Sequence, residues 1–343
     1  VDDFLEKLAR QHEPGVTRAI LAAMRRLRAQ VDRAQLKQII ATHSPAVVAQ
    51  ILVRDLEIAR HLAVALQPLL DVLVRAGQAQ GKRGVEVSPS QVRKEDLTFG
   101  FDLVNPKTVQ AAANYRNQLI REITTSTSEA IQAVIADGLR LGAGPPDTAR
   151  QLRGLLTSDD YAERTVDGVI MTLGLTERQA KAVTNYKRLL EEKSTEALAR
   201  ELHDRRYDRL VTGPNAPSAD QVNAAVERYA ERYLAYRAVT ISRTETLRAA
   251  NIGQDLSIRR AAEDGEFGDL EPRRFWITAG DEKVRHEHRE IPRLNPDGVG
   301  LNEPFKYPGG RYIRLPGDPD VRDGSMVINC RCTVVTRLYP RDG

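Results

Sequence analysis

Near Gly265 the sequence changes its hydrophobic period, and no other feature limits the possible folds as strongly. Upstream, apolar residues recur at three- and four-residue steps: Ile20, Met24, Leu27 and Val31, then Leu56, Ala59, Leu62 and Leu66, with Ile51 five residues ahead of the second run. That spacing lines one face of a helix. From Arg274 onward the helical period disappears, and Gly, Pro, Asn and Asp separate short apolar pieces: RFWIT (274–278), PFKY (304–307), RYIRL (311–315) and CTVVTRLY (332–339). Such pieces read as short strands between turns. The expected fold is mainly α, with helical N-terminal and central regions followed by a small, loop-rich α+β C-terminal unit.

Within the helical part, Pro14-Gly15 and His43-Ser44-Pro45 read as punctuation, with Ser44 capping a helix that Pro45 opens. The stretch GQAQGKRGVEVSPSQ (77–91) carries no apolar period and reads as a linker. After FGFDLVNP (99–106), Val109, Ala112, Tyr115, Leu119, Ile123, Ile131, Ile135 and Leu139 predict a helix that ends at GAGPP (142–146). Thirty residues of helix would span about 45 Å. Two capping-box patterns, Thr176-x-x-Gln179 and Ser218-x-x-Gln221, predict further helix starts. The second helix carries Tyr229, Tyr233 and Tyr236, and another helix-like run extends through Arg260. Three regions are therefore expected: a helical, partner-binding arm over 1–90, a helical domain over 91–265, and the C-terminal unit over 266–343.

A chain of 343 residues is long enough for two or three such regions. Its mean hydropathy of −0.43 is that of a soluble protein, and no apolar run approaches the roughly 20 residues of a membrane span. VDDFLEKLARQHEP, at the start, carries no secretory signal, so assembly in a cytoplasm is expected. The 51 basic residues are nearly balanced by 47 acidic ones, leaving a net charge of +4. Proximity to nucleic acid is compatible with that balance; a strong non-specific DNA clamp is not. The two cysteines, Cys330 and Cys332, are too close in sequence to form a disulfide scaffold.

Four segments of the last third, in this order, carry a resemblance: RTETLRAANIGQ (243–254), FWITAGDEKVRHEH (275–288), the stretch from EPF to LPGDP (303–319), and INCRC (328–332). Together they resemble the phage Mu F-like family of head-morphogenesis proteins. The matching positions are Arg243, Thr244, Glu245, Asn251, Trp276, Asp281, Val284, Arg285, His288, Pro316, Gly317, Asp318, Asn329, Cys330, Arg331 and Cys332. His286 competes with His288 for the family's histidine, and the second is favoured. The helical stretch from about Phe99 to Tyr236 looks like the part that precedes this segment in the family, whereas residues 1–90 lie outside the resemblance. What the resemblance implies is a structural minor head protein of a tailed bacteriophage, not an enzyme. It would be present in several copies in the virion, near the portal vertex or head interior, and act in head morphogenesis and DNA packaging or delivery. The implied partners are the portal protein and a major capsid or scaffolding protein, with genomic DNA nearby and no membrane.

Read as chemistry, Arg243, Glu245 and Arg248 share helical spacing and Asp281, Arg285 and His288 follow a tight turn, so ion pairs tying the helix to the loop-rich unit are expected. Asp318, Asn329 and Arg331 join this structural polar network. Cys330 and Cys332 lie on one face of an extended segment. With His286 or His288, and Asp281, they could hold a structural zinc ion. A lone Cys-x-Cys matches zinc-knuckle spacing poorly, so two reduced thiols packed against Trp276, with no cofactor, is the preferred reading. No phosphate-binding Gly-x-x-x-x-Gly-Lys-Ser/Thr loop and no Gly-x-Ser-x-Gly elbow occurs. TTSTSEA (124–130) reads as a polar helix face. The alternatives retained are a metal-dependent nuclease using Asp281, His286 and His288, and a non-specific DNA-binding head protein.

Overall fold

The computed structural model describes residues 4–29, 33–55, 57–67 and 175–340, with isolated short pieces between 74 and 170. Most of the helix expected over 109–139, together with FGFDLVNP, GAGPP and most of TTSTSEA, lies outside the described residues. The protein is mainly α, with a small C-terminal sheet region. It divides into two compact units, one made of Val1–Thr17, Leu66–Arg116 and Val239–Gly343, the other of Arg18–Ala65 and Asn117–Ala238.

Four helices come first: α1 (Phe4–Ala29), α2 (Arg33–Thr42), α3 (Pro45–Asp55) and α4 (Ile58–Ala65). The break expected at Pro14-Gly15 is absent, because α1 runs through Pro14. Proline removes one amide donor and crowds the preceding turn, a local cost that need not end a long helix. The neighbouring Glu13 carbonyl accepts a bond from Ser242 Oγ at 2.7 Å. Pro45 opens α3 as expected, and the Ser44 carbonyl accepts the Val48 amide at 2.9 Å, which places Ser44 at the position just before the helix. Ile20, Leu62 and Leu66 of the predicted apolar faces are fully buried.

In the second unit the short strands β2 (Thr165–Val166) and β3 (Val169–Ile170) form a hairpin ahead of helix α5 (Glu177–Glu191). Thr176 caps α5 with the full capping box that its spacing predicts. Tyr186 of α5 stacks on Tyr229, ring centroids 4.0 Å apart, and Tyr229 meets Tyr233 edge-on. These rings sit in a core with Leu175, Val183, Leu190, Val211, Val222 and Val226. Burial pushes the Tyr186 phenol up to about 12. A four-residue helix, α6 (Arg209–Thr212), follows. Beside it, buried Asp204 accepts bonds from Arg206 and Arg228, and the Arg206 contacts hold its carboxyl well below the usual range.

Helix α7 (Ala219–Glu263) is a single element where two runs were expected. Ser218 opens it with the second capping box: the Gln221 amide donates to Ser218 Oγ, and the Ser218 amide donates to the Gln221 side chain. Beyond α7, in the first unit, come β4 (Leu270–Ile277), α8 (His286–Leu294), β5 (Val299–Gly300), β6 (Phe305–Tyr307), β7 (Arg311–Ile313), α9 (Gly324–Val327) and β8 (Thr333–Pro340). All four predicted strand pieces are strands. Helix α8 was not expected; its nine residues are polar enough to hide a period that only His288 and Ile291 mark by burial.

Strands β4 and β8 pair antiparallel along their whole length, from Leu270 opposite Pro340 to Ile277 opposite Thr333. Strand β5 extends the sheet on one edge. On the other edge β8 takes a parallel strand, β1 (Val85–Val87), from within the stretch read as a linker. The valines of that stretch lie on either side of Glu86, and three residues are too short a period to stand out against the surrounding Gly, Gln and Ser. Strands β6 and β7 form a separate hairpin. Under it lies a core of Trp276, Ile291, Val299, Phe305, Tyr307, Ile313, Met326, Cys330 and Cys332.

Candidate metal centre and its polar framework

Helix α8 and the segment entering β8 bring three metal-competent side chains together. Asn329 takes a left-handed turn, with φ of +55°, and the chain then extends so that Cys330 and Cys332 face the same way. His288, on α8, faces them, and all three side chains are at least 95% buried. Its Nδ1 lies 3.5 Å from Cys330 Sγ and 3.4 Å from Cys332 Sγ. The other ring nitrogen, Nε2, lies 2.9 Å from the Met326 carbonyl oxygen. A carbonyl can only accept, so Nε2 carries the proton and the Nδ1 lone pair is presented to the sulfurs.

Aromatic rings close around the group. Trp276 and Tyr307 meet the His288 ring edge-on at 5.7 and 5.9 Å, and Phe305 meets Trp276 at 5.4 Å. The hydrogen bond from Cys332 holds the Cys330 thiol well below its ordinary value, against the effect of burial. The same contact and burial push Cys332 up, while the Trp276 indole N–H favours its thiolate. That indole N–H is buried and has no hydrogen-bond partner among the described residues. The group could hold a metal ion.

The remaining residues of the resemblance build a frame around this centre. Thr244, Arg248 and Asn251 follow one another by four and three residues, which places them on one face of α7. Thr244 Oγ1 accepts the Asn329 amide at 3.0 Å, and Asn251 Nδ2 donates to the Cys332 carbonyl at 3.4 Å. Arg248 Nε donates to the Gly317 carbonyl at 2.6 Å. One turn further, Gln254 Nε2 donates to the Val334 carbonyl at 2.7 Å. The side chains of α7 therefore take the place of a neighbouring strand for the backbone around 329–334. Buried Asp318 accepts the Arg314 and Asp320 amides at 2.8 and 3.0 Å and fixes the turn that presents Gly317.

The ion pairs are not those expected. Glu245 pairs with Arg248 on its own helix, at 3.0 Å to each carboxylate oxygen, and Arg243 pairs with Glu13 at 3.3 Å. Asp281 lies exposed and pairs with Arg331, whose hydrogen bond is the main cause lowering the Asp281 carboxyl. Arg285 donates to the Ile328 carbonyl. The carbonyls and amides of the irregular C-terminal chain compete for these side chains, and satisfying buried backbone groups outweighs pairing charge with charge. His286 is exposed on α8, outside the metal-competent group. Asp281, His286 and His288, which the nuclease alternative requires together, do not form one cluster.

Arg274 is central to this frame, although in the sequence it marks only the start of an apolar piece. It is 2% exposed, donates to the Arg314 carbonyl at 2.9 Å and to the Glu303 carbonyl, pairs with Asp255, and stacks on Phe305. One signal was present: Arg274 and Trp276 are two apart in a strand and share a face, so an inward Trp276 turns Arg274 inward too. Asn295 was also missed; its amide bridges the Ile291 carbonyl and both backbone groups of Lys306, tying α8 to β6. No family model, curated protein or solved structure matches the chain.

Proposed function

We propose that this chain is a structural minor head protein of a tailed bacteriophage, assembled in the host cytoplasm and incorporated near the portal vertex or head interior, where it serves head morphogenesis and DNA packaging or delivery. The four segments RTETLRAANIGQ, FWITAGDEKVRHEH, EPF to LPGDP, and INCRC suggest it by their order. The observation that carries it is what those residues bind. Thr244, Arg248 and Asn251 each make a hydrogen bond to a backbone atom, of Asn329, Gly317 and Cys332 in turn, as side chains that hold a fold do. Under this reading the His288, Cys330 and Cys332 group, including any structural zinc it binds, is architectural. The portal protein is the proposed partner, with major capsid or scaffolding protein and packaged DNA close by.

The test is the composition of particles. A phage carrying a tagged copy of this chain should yield purified virions that contain it at a few copies per portal, cross-linked to portal subunits. Heads that assemble, package and infect normally without it, and that never contain it, would sink the proposal.

A further inference from the structure

We infer that His288 Nδ1, Cys330 Sγ and Cys332 Sγ are ligands of one bound zinc ion. The inference deepens the architectural reading of the cluster and does not depend on the virion assignment. Zinc bonds of about 2.3 Å to sulfur and 2.0–2.1 Å to nitrogen, set at a tetrahedral angle, place an N and an S ligand about 3.6 Å apart. The observed separations are 3.5 and 3.4 Å. All three ligand atoms lie within 4.8 Å of one another, and among the described residues no fourth His, Cys, Asp or Glu joins them.

Three features favour a metal over packed thiols. The tautomer is already set: the Nε2 N–H donates to the Met326 carbonyl, the outer-shell bond by which a metal-bound imidazole is commonly oriented. The Trp276 N–H, without a partner among the described residues, lies where a zinc-bound thiolate of Cys332 would accept it. Zinc is also the common metal that takes this mixed sulfur and imidazole set without a change of oxidation state. On binding, each cysteine S–H that is still protonated releases its proton to solvent, and the ion joins α8 to the first residues of β8.

The test uses the full chain. Protein purified from zinc-supplemented medium should contain about one zinc per chain. Both thiols should resist a thiol reagent until a chelator is added, and should then both react. Replacing zinc by cobalt(II) should give thiolate-to-metal charge-transfer bands in the near ultraviolet and intense visible bands of a tetrahedral site. Cys330→Ser, Cys332→Ser and His288→Gln should each lose the metal. Because those variants can misfold, the wild-type chain decides alone. Sub-stoichiometric zinc after exposure to excess metal, no cobalt bands, and thiols equally reactive with and without chelator would establish packed thiols and overturn the inference.

Discussion

Glu245 and Arg248 face each other one turn apart on α7, buried to 5% and 8% exposure, with one guanidinium nitrogen 3.0 Å from both carboxylate oxygens. Arg248 turns its Nε to the Gly317 carbonyl. The pair thus links the long helix to the turn that Asp318 stabilises. In a chain segment with few large aliphatic residues, that link supplies specificity which a larger core would otherwise provide.

Removing one partner of a buried ion pair leaves a desolvated charge, at a cost of about 3–5 kcal/mol. Glu245→Ala should therefore lower the stability of the C-terminal region by that order in denaturant unfolding. Glu245→Ala combined with Arg248→Met should recover part of the loss, since the buried charge is gone while the Gly317 carbonyl loses its donor. A double variant as unstable as the sum of the singles would show that the pair itself contributes little.

Asp281→Ala should behave differently, because the Asp281 side chain is 46% exposed, far more open to water than that of Glu245, although Arg331 beside it is mostly buried. A smaller drop in melting temperature than that of Glu245→Ala is expected. The Asp281 carboxyl is held below its ordinary value by Arg331, so its contribution is present above the unfolded value of about 4 and lost as pH falls through the folded one. Melting curves of the variant and the wild type should converge as the pH is taken below that range. A gap that widens in acid would contradict the assignment.

Gly317 has φ of +74°, and a Cβ there would sit 3.2 Å from the Arg248 Cβ. Gly317→Ala should cost about 1–2 kcal/mol for the left-handed backbone alone. Displacement of the carbonyl that Arg248 uses adds to this. Equilibrium unfolding of the variant checks it, and an unchanged midpoint would show that the turn relaxes freely.

A chain beginning at Ser88 loses β1, and with it the parallel pairing of Val85–Val87 along Thr336, Arg337 and Leu338. It also loses Glu13, which holds Arg243 and Ser242. Such a chain should keep a folded C-terminal region but melt at lower temperature than the full protein, with faster amide exchange in β8. Identical melting and exchange would favour the separable arm over 1–90 that the sequence suggests.

Much of this protein follows from its sequence alone. Local rules act over a few residues, so the capping boxes at Thr176 and Ser218, the Ser44-Pro45 start, and the four strand pieces after Arg274 appear where their spacing places them. The co-facing of Cys330 and Cys332 was likewise legible, as a consequence of the two-residue period of extended chain. Tertiary structure alone decided which partner each polar side chain takes. His286 and His288 are chemically identical and two residues apart, and only the packing of α8 on Trp276 and Tyr307 buries one and exposes the other. The same holds for Glu245, which sequence pairs equally well with any nearby cation. Helical spacing allows its pairing with Arg248, but the burial of that pair and the Arg248 bond to the Gly317 carbonyl, nearly 70 residues away, are brought about by the fold. Hydrogen-bond geometry reaches about 3 Å, and no residue spacing encodes that distance between segments so far apart in the chain.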